Sequence, residues 1–172
     1  QERILKVADE IADKMGAERI GQCEKNDTGV SFYGVYYGQA ALPHAPERLF
    51  YLDNAVIRGL QVYNVETSSD IPVYDLGAAA GRDPYEMFLG GARSIIKITN
   101  PNAAQERRLI VFRDSFGSSI APLLAAGYSE ITLVDIRYIS PLSLGKLIDF
   151  AKADDVLFLY SASVINNSET IK

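Results

Sequence analysis

The sequence predicts an α/β domain: a parallel β-sheet with helices on both faces and a small β-hairpin appended to it. Three observations carry this. Residues 109–112 (Leu-Ile-Val-Phe) are apolar at every position, the pattern of a strand buried on both faces, as in parallel sheets. Two further runs of strand type lie in 130–135 and 155–160, and the stretches between them carry helical patterns. Strand, helix, strand, helix, strand at this spacing implies parallel strands joined by right-handed crossovers. At 172 residues the chain is long enough for one such domain with its own core, so residues 1–172 are expected to form a single domain.

Residues 2–15 read as an amphipathic helix. Ile4, Leu5, Ala8, Ile11, Ala12 and Met15 share a face at spacings of three and four, and Gly16 ends it. Residues 18–29 are polar and read as a loop. Residues 30–42 carry Phe32, Tyr33, Tyr36 and Tyr37 with Gly34 and Gly38 between them. Such a cluster is either a packed aromatic loop or a carbohydrate-facing platform. After the break at Pro43 and Pro46, residues 48–52 and 55–65 read as two strands joined at Asp53-Asn54, the expected antiparallel hairpin. Asp83-Pro84-Tyr85-Glu86 is a helix start, with Asp83 as cap, Pro84 in the first helical position and Glu86 as the acid of a capping box. Gly90-Gly91 closes that helix. Residues 94–99 form a short strand, 116–127 a buried helix without charge, and 141–153 the last crossover helix.

Composition excludes several function classes. The net charge is −5 and no basic cluster is present, which argues against nucleic-acid binding. Cys23 is the only cysteine and His44 the only histidine, so neither an intrachain disulfide nor a zinc site of His/Cys type is expected. No Gly-x-Gly-x-x-Gly or phosphate loop occurs, so no cofactor and no metal is anticipated. No segment approaches the roughly 20 apolar residues of a membrane span. The chain opens at Gln1 directly on a helix, which reads as an amino-terminally truncated fragment. Membrane association would then come only through a missing amino-terminal segment.

The chemistry-bearing stretch is Arg113-Asp114-Ser115-Phe116-Gly117. It follows the apolar strand directly, and ligands of parallel sheets sit at the carboxyl ends of strands. A serine on a sharp strand-to-helix turn is exposed, and the N–H groups at the helix start, here Phe116 and Gly117, can stabilise an oxyanion beside it. The alternative reading makes Asp114 and Ser115 ordinary turn and cap residues, with Ser118 or Ser119 capping the helix. Asp135 and Arg137 end the next strand. This Asp-x-Arg pair either orients an anionic or sugar-like ligand through the guanidinium or is a structural ion pair pinning the loop.

Five segments in order, Ser31-Phe32-Tyr33-Gly34-Val35-Tyr36-Tyr37, Asp83-Pro84-Tyr85, Phe112-Arg113-Asp114-Ser115-Phe116-Gly117, Val134-Asp135-Ile136-Arg137-Tyr138 and Val156-Leu157-Phe158-Leu159-Tyr160, resemble the carboxyl-terminal part of the DHHW-motif proteins. These are bacterial envelope proteins of SGNH-hydrolase-like fold, related by fold to the alginate O-acetylation proteins. The resemblance implies a three-layer, flavodoxin-like architecture and an extracytoplasmic location in the cell envelope. It implies Ser115 as nucleophile and Asp114 as the aspartate preceding it. Arg113 departs from the glycine of the Gly-Asp-Ser form. Arg113, Asp135 and Arg137 are then the binding candidates. The oxyanion asparagine has no assignment: Ser161 and Ser163 stand where it would fall, with Asn166 and Asn167 further on. The Asp-His-His-Trp motif is absent from these residues, so the base is expected upstream of Gln1. His44 is the one imidazole present, read as a solvent-facing loop residue. Two functions follow. One is an O-acyl esterase or acyltransferase acting on an envelope polysaccharide, inactive as this fragment alone. The other is a non-catalytic envelope binding or scaffold module.

Overall fold

The computed structural model describes residues 2–33 and 45–166. Helix α1 (Glu2–Met15) forms as its periodicity requires, with Ala8 and Ala12 buried on the inward face. Strands β1 (Glu24–Phe32) and β2 (Glu47–Asp53) pair antiparallel in a small two-stranded sheet, with a register shift between Asp27 and Ser31. A short helix α2 (Ala55–Arg58) follows, then β3 (Gln61–Asn64), β4 (Ser69–Ile71) and β5 (Ile95–Thr99). The carboxyl-terminal half runs β6 (Arg108–Arg113), α3 (Phe116–Ile120), β7 (Glu130–Val134), α4 (Pro141–Leu147), β8 (Asp155–Leu159) and α5 (Ala162–Asn166).

Six strands form the main sheet in the order β4-β3-β5-β7-β6-β8. The three strands foreseen as parallel neighbours are so arranged: β6 lies between β7 and β8 and runs parallel to both. The sheet as a whole is mixed, which corrects the all-parallel expectation. Strand β5 runs antiparallel to β7 and β3 antiparallel to β5. No crossover helix precedes β5, since the polar segment after Asn64 returns the chain through β4 and short turns instead. On one face, Ile96, Ile98, Leu109, Val111, Ile131 and Leu133 pack with Ala8, Ile120, Leu123 and Leu124. On the other, Ile95, Ile110 and Val134 pack with Leu144 and Ile148. The alternation of these names along each strand is the period-two geometry that sends successive side chains to opposite faces.

The expected hairpin of 48–52 with 55–65 does not form. Asn54 ends β2 and caps α2: its Oδ1 accepts from Ile57 N at 3.0 Å and its Nδ2 donates to Ile20 O at 3.1 Å. The cap turns Ala55–Arg58 into a helix, and only Gln61–Asn64 remains extended, paired with β5 in the main sheet. Strand β2 pairs instead with β1, most of which the polarity of 18–29 marks as loop. Strand β1 has few apolar residues, and Val30 and Phe32 attach it to a satellite core around Leu49, Met87 and Phe88. Phe32 stacks on Tyr85 at 6.4 Å, while Gly34, Tyr36, Tyr37 and Gly38 lie outside the described residues. Three helices are shorter than their sequence signals. Pro84–Met87 is a 3-10 turn capped by Asp83. The 141–153 helix stops at Leu147 before a 3-10 turn at Phe150–Lys152. The 116–127 helix becomes 3-10 over Ala121–Gly127, beginning next to Pro122, which has no N–H to donate.

Replacing Asn54 tests this corrected junction. Asn54→Ala removes a cap and strands two carbonyl acceptors, those of Ile20 and Gln22. We expect a loss of about 1–2 kcal/mol in denaturant unfolding, with the slope unchanged. A change too small to measure would mean that Asn54 does not set the boundary between β2 and α2.

Candidate functional site

Parallel pairing puts the carboxyl ends of β6, β7 and β8 on one rim. Phe112 is opposite Val134 and Arg113 opposite Leu159, so residues 113–115, 135–137 and 160–161 leave the sheet side by side. Asp114 and Asp135 are buried there, at 1% and 0% exposure.

Asp114 is the joint of this rim. Its Oδ1 accepts from Phe116 N at 3.0 Å and its Oδ2 from Ser161 N at 2.7 Å, while its own N–H donates to Leu159 O. One carboxylate therefore caps α3 and ties the end of β6 to the end of β8. The role foreseen for Ser118 or Ser119 as cap falls to Asp114, and both serines lie buried inside α3. The N–H groups foreseen for an oxyanion are engaged: Phe116 N by Asp114 Oδ1, Gly117 N by Asp114 O at 3.0 Å. Ser115 stands at the N-cap position, is exposed, and makes no capping hydrogen bond with its side chain. Among the described residues, neither its N–H nor its hydroxyl has a partner.

Arg113 lies beneath this turn, at 0% exposure. Its Nη1 donates to Ser118 Oγ at 3.1 Å and its Nη2 to Arg93 O at 3.3 Å. Its stem lies where a side chain on residue 117 would be: a Cβ there would come within 2.5 Å of Arg113 Cβ. Gly117 is thus a close-approach glycine. Burial lowers the Arg113 pKa, and the Asp135 carboxylate at 3.9 Å opposes that shift. Asp135 accepts its main hydrogen bonds from Arg137: Oδ1 from Nε at 2.9 Å and Oδ2 from Nη2 at 2.7 Å. These bonds raise the Arg137 pKa. Arg113 thus offers no surface to a ligand, and the two-pronged edge of Arg137 faces Asp135.

Other side chains complete the surroundings. Phe116 and Tyr138 are exposed on this rim, with the Arg137 guanidinium 5.4 Å from the Tyr138 ring centre. Tyr85 Oη donates to Ser119 Oγ at 2.7 Å, and burial raises its pKa. Tyr160 Oη is buried without a partner among the described residues, and burial raises its pKa too. Sequence reading did not single out Ser161 N–H, Tyr85 or Tyr160 for the site. A backbone donor and tyrosines distant in sequence carry no local pattern; Ser161 entered only as standing where an oxyanion asparagine would fall, and the parallel order of β6 and β8 is what brings its N–H to Asp114. His44 and Asn167 lie outside the described residues. Among the described residues no three His, Cys, Asp or Glu side chains cluster to hold a metal. A hollow of about 240 Å³ lies elsewhere: it is lined by Arg108 and Glu130 at the opposite ends of β6 and β7. The strand-end chemistry, not the hollow, therefore marks the candidate site.

No family model and no curated protein matches the chain. Solved structures do. A DHHW family protein from Eubacterium siraeum superposes with a TM-score of 0.70 at 20% identity, over 98% of this chain and 58% of that one. PatB1 of Bacillus cereus, solved with a sulfonyl adduct, gives 0.68 at 21% identity, over 94% and 56%. A second structure of Bacillus cereus PatB1 gives 0.66 at 19%, over 94% and 57%. The resemblance to DHHW-motif proteins read from the sequence is thus matched by the three-dimensional structure. At these identities the likeness is one of fold, and the chain spans less than two thirds of each of these structures.

Two substitutions test the joint. Asp114→Asn keeps one acceptor and loses the other, and we expect a loss of about 1–3 kcal/mol in unfolding free energy. Gly117→Ala should cost about 1–3 kcal/mol through its clash with the Arg113 stem. In an Arg113→Gly background that clash disappears, so Gly117→Ala should become nearly neutral in a double-mutant cycle. Additive effects would show that the contact does not determine the glycine.

Proposed function

We propose that Ser115 is the nucleophile of an SGNH-like O-acyl esterase or acyltransferase. The observation that carries this is the exposed Ser115, whose hydroxyl and N–H have no partner among the described residues, on a turn where Asp114 engages the N–H groups of Phe116 and Gly117. In this reading Ser115 Oγ attacks an acyl carbonyl, its proton passing to a base. The oxyanion of the tetrahedral intermediate gathers at Ser115 N–H. Collapse expels the sugar alkoxide, and water or a second hydroxyl then takes the acyl group from the serine. Asp114 acts as a positioning residue, since its two oxygens hold the turn. Arg137 and Tyr138, with Phe116, would line the approach of a polysaccharide. The structural likeness to PatB1 supports the reading, since sulfonyl reagents form adducts with activated nucleophiles, and that protein was solved with a sulfonyl adduct. The same likeness supports a three-layer SGNH domain over residues 1–172 and an extracytoplasmic location in a bacterial envelope. No described helix is long and apolar enough to cross a membrane.

A non-catalytic envelope scaffold is the second reading. The observation favouring it is that Arg113, Asp114 and Asp135 are all occupied by the fold itself.

Hydrolysis of an activated acetyl ester separates the two. The enzyme reading expects turnover by the polypeptide as its gene encodes it, lost by about 10⁴-fold or more in Ser115→Ala. It expects residues 1–172 alone to stay at background, because a serine without its base is a poor nucleophile at neutral pH. Equal rates for the encoded polypeptide and its Ser115→Ala variant would leave the scaffold reading.

A further inference from the structure

We propose that the hollow at the far end of the sheet from Ser115 is a second binding site, which takes a short-chain organic acid by its carboxylate. The hollow lies where polar residues interrupt an apolar sheet face. One face of β7 is Ile131 and Leu133; the other, by the period of two, is Glu130, Thr132 and Val134. Thr132 lies between Lys97 of β5 and Ile110 of β6 in the register of the sheet. Ile95, Ile110 and Val134 pack under Leu144 and Ile148. Helix α4 ends at Leu147, and the chain passes on through the 3-10 turn Phe150–Lys152. Between that passage and the Lys97–Thr132 row is the hollow of about 240 Å³, walled on one side by Ile148, Asp149 and Lys152.

The lining selects the ligand. Thr132 is only 4% exposed, and its hydroxyl has no hydrogen-bond partner among the described residues. A buried hydroxyl without a partner costs free energy that a ligand oxygen would recover. Lys97 and Arg108, both half-buried, line the hollow and have no ion-pair partner among the described residues. Asp149 and Lys152 pair with each other at 3.4 Å. Glu130, the register partner of Arg108, is the remaining charge. Two cations therefore face one anion, and the balance is a single positive charge. A carboxylate neutralises it and can accept from both cations and from the Thr132 hydroxyl. A phosphate dianion would leave excess negative charge beside Glu130. Ile110 and Ile148, 4% and 7% exposed, give the ligand's chain an apolar wall. At about 30 Å³ per water-sized group, the hollow holds about eight non-hydrogen atoms, the size of hexanoate.

This site is separate from the Ser115 turn. Arg108 and Arg113 are the two ends of β6, which at about 3.3 Å per residue are roughly 16 Å apart. An acid held here does not reach the serine.

Titration of hexanoate into the polypeptide as its gene encodes it, followed by nuclear magnetic resonance, tests the proposal. We expect saturating shifts at residues 97, 108–110, 130–132 and 148–153, with a Kd on the order of 1 mM. Hexanamide, equal in size but uncharged, should bind at least about tenfold more weakly. Lys97→Met should weaken hexanoate about tenfold, and Thr132→Val, which keeps the branched shape of the side chain, about threefold or more. Shifts that never saturate would overturn the proposal. So would equal binding of hexanamide, which needs no variant to measure, or shifts confined to residues 114–117. The readout does not involve the hydroxyl of Ser115 and is the same in Ser115→Ala, so it stands or fails apart from the proposed activity.

Discussion

Two backbone N–H groups converge on one buried carboxylate, and the candidate site depends on that convergence. Asp114 accepts from Phe116 at the start of a helix and from Ser161 beyond a neighbouring strand. Hydrogen bonds to a charged acceptor contribute about 1.5–3 kcal/mol each, enough to hold a sharp strand-to-helix turn in one conformation. The consequence for Ser115 is geometric. With the aspartate beside it doing the capping, the serine is relieved of that duty and its hydroxyl is left to solvent. Of the two readings of the Asp-Ser dipeptide, the cap falls to Asp114, and Ser115 is left for the reactive role proposed for it.

Beneath the turn lies an arrangement of charge that polar solvent does not reach. A buried guanidinium is expensive to desolvate unless it is paired and hydrogen-bonded. Arg113 offsets part of that cost with Ser118 Oγ, the Arg93 carbonyl and the nearby Asp135, which accepts its stronger bonds from Arg137, while Arg113 Nε has no partner among the described residues. One buried aspartate thus lies between two arginines, one wholly interior and one reaching the rim. Gly117 is the counterpart on α3, since only a residue without Cβ lets the helix start lie on the Arg113 stem. Strand end, helix start and the loop after β7 are in this way fixed relative to one another.

The parallel core was legible because its strands are apolar at nearly every position. Residues 109–112, 131–134 and 156–159 carry that signal, and their order in the chain was enough to bring Ser115 and Asp135 to one rim. The peripheral elements were not legible for a definite reason. Strand β1 is polar and held by pairing and two apolar contacts, so its period is weak. Residues 55–65 contain a helix and a strand separated by Gly59, and their mean apolar character hides the division that the Asn54 cap imposes. Arg113 shows the opposite limit. An arginine at a strand end reads as a ligand group, and nothing local announces that the chain folds Gly117 and Ser118 over it. Burial of a charge is decided by the partners brought in from elsewhere, here Arg93 and Asp135.

We propose that this scaffold turns Ser115 outward as a nucleophile while burying Asp114 before it and Ser118 and Ser119 after it. Covalent labelling of the encoded polypeptide with phenylmethanesulfonyl fluoride, mapped by peptide mass spectrometry, tests it most directly. We expect a single sulfonyl adduct on Ser115 and none on Ser118 or Ser119, which are 1% and 2% exposed. An unlabelled Ser115, or an adduct on another residue with Ser115 unmodified, would contradict it.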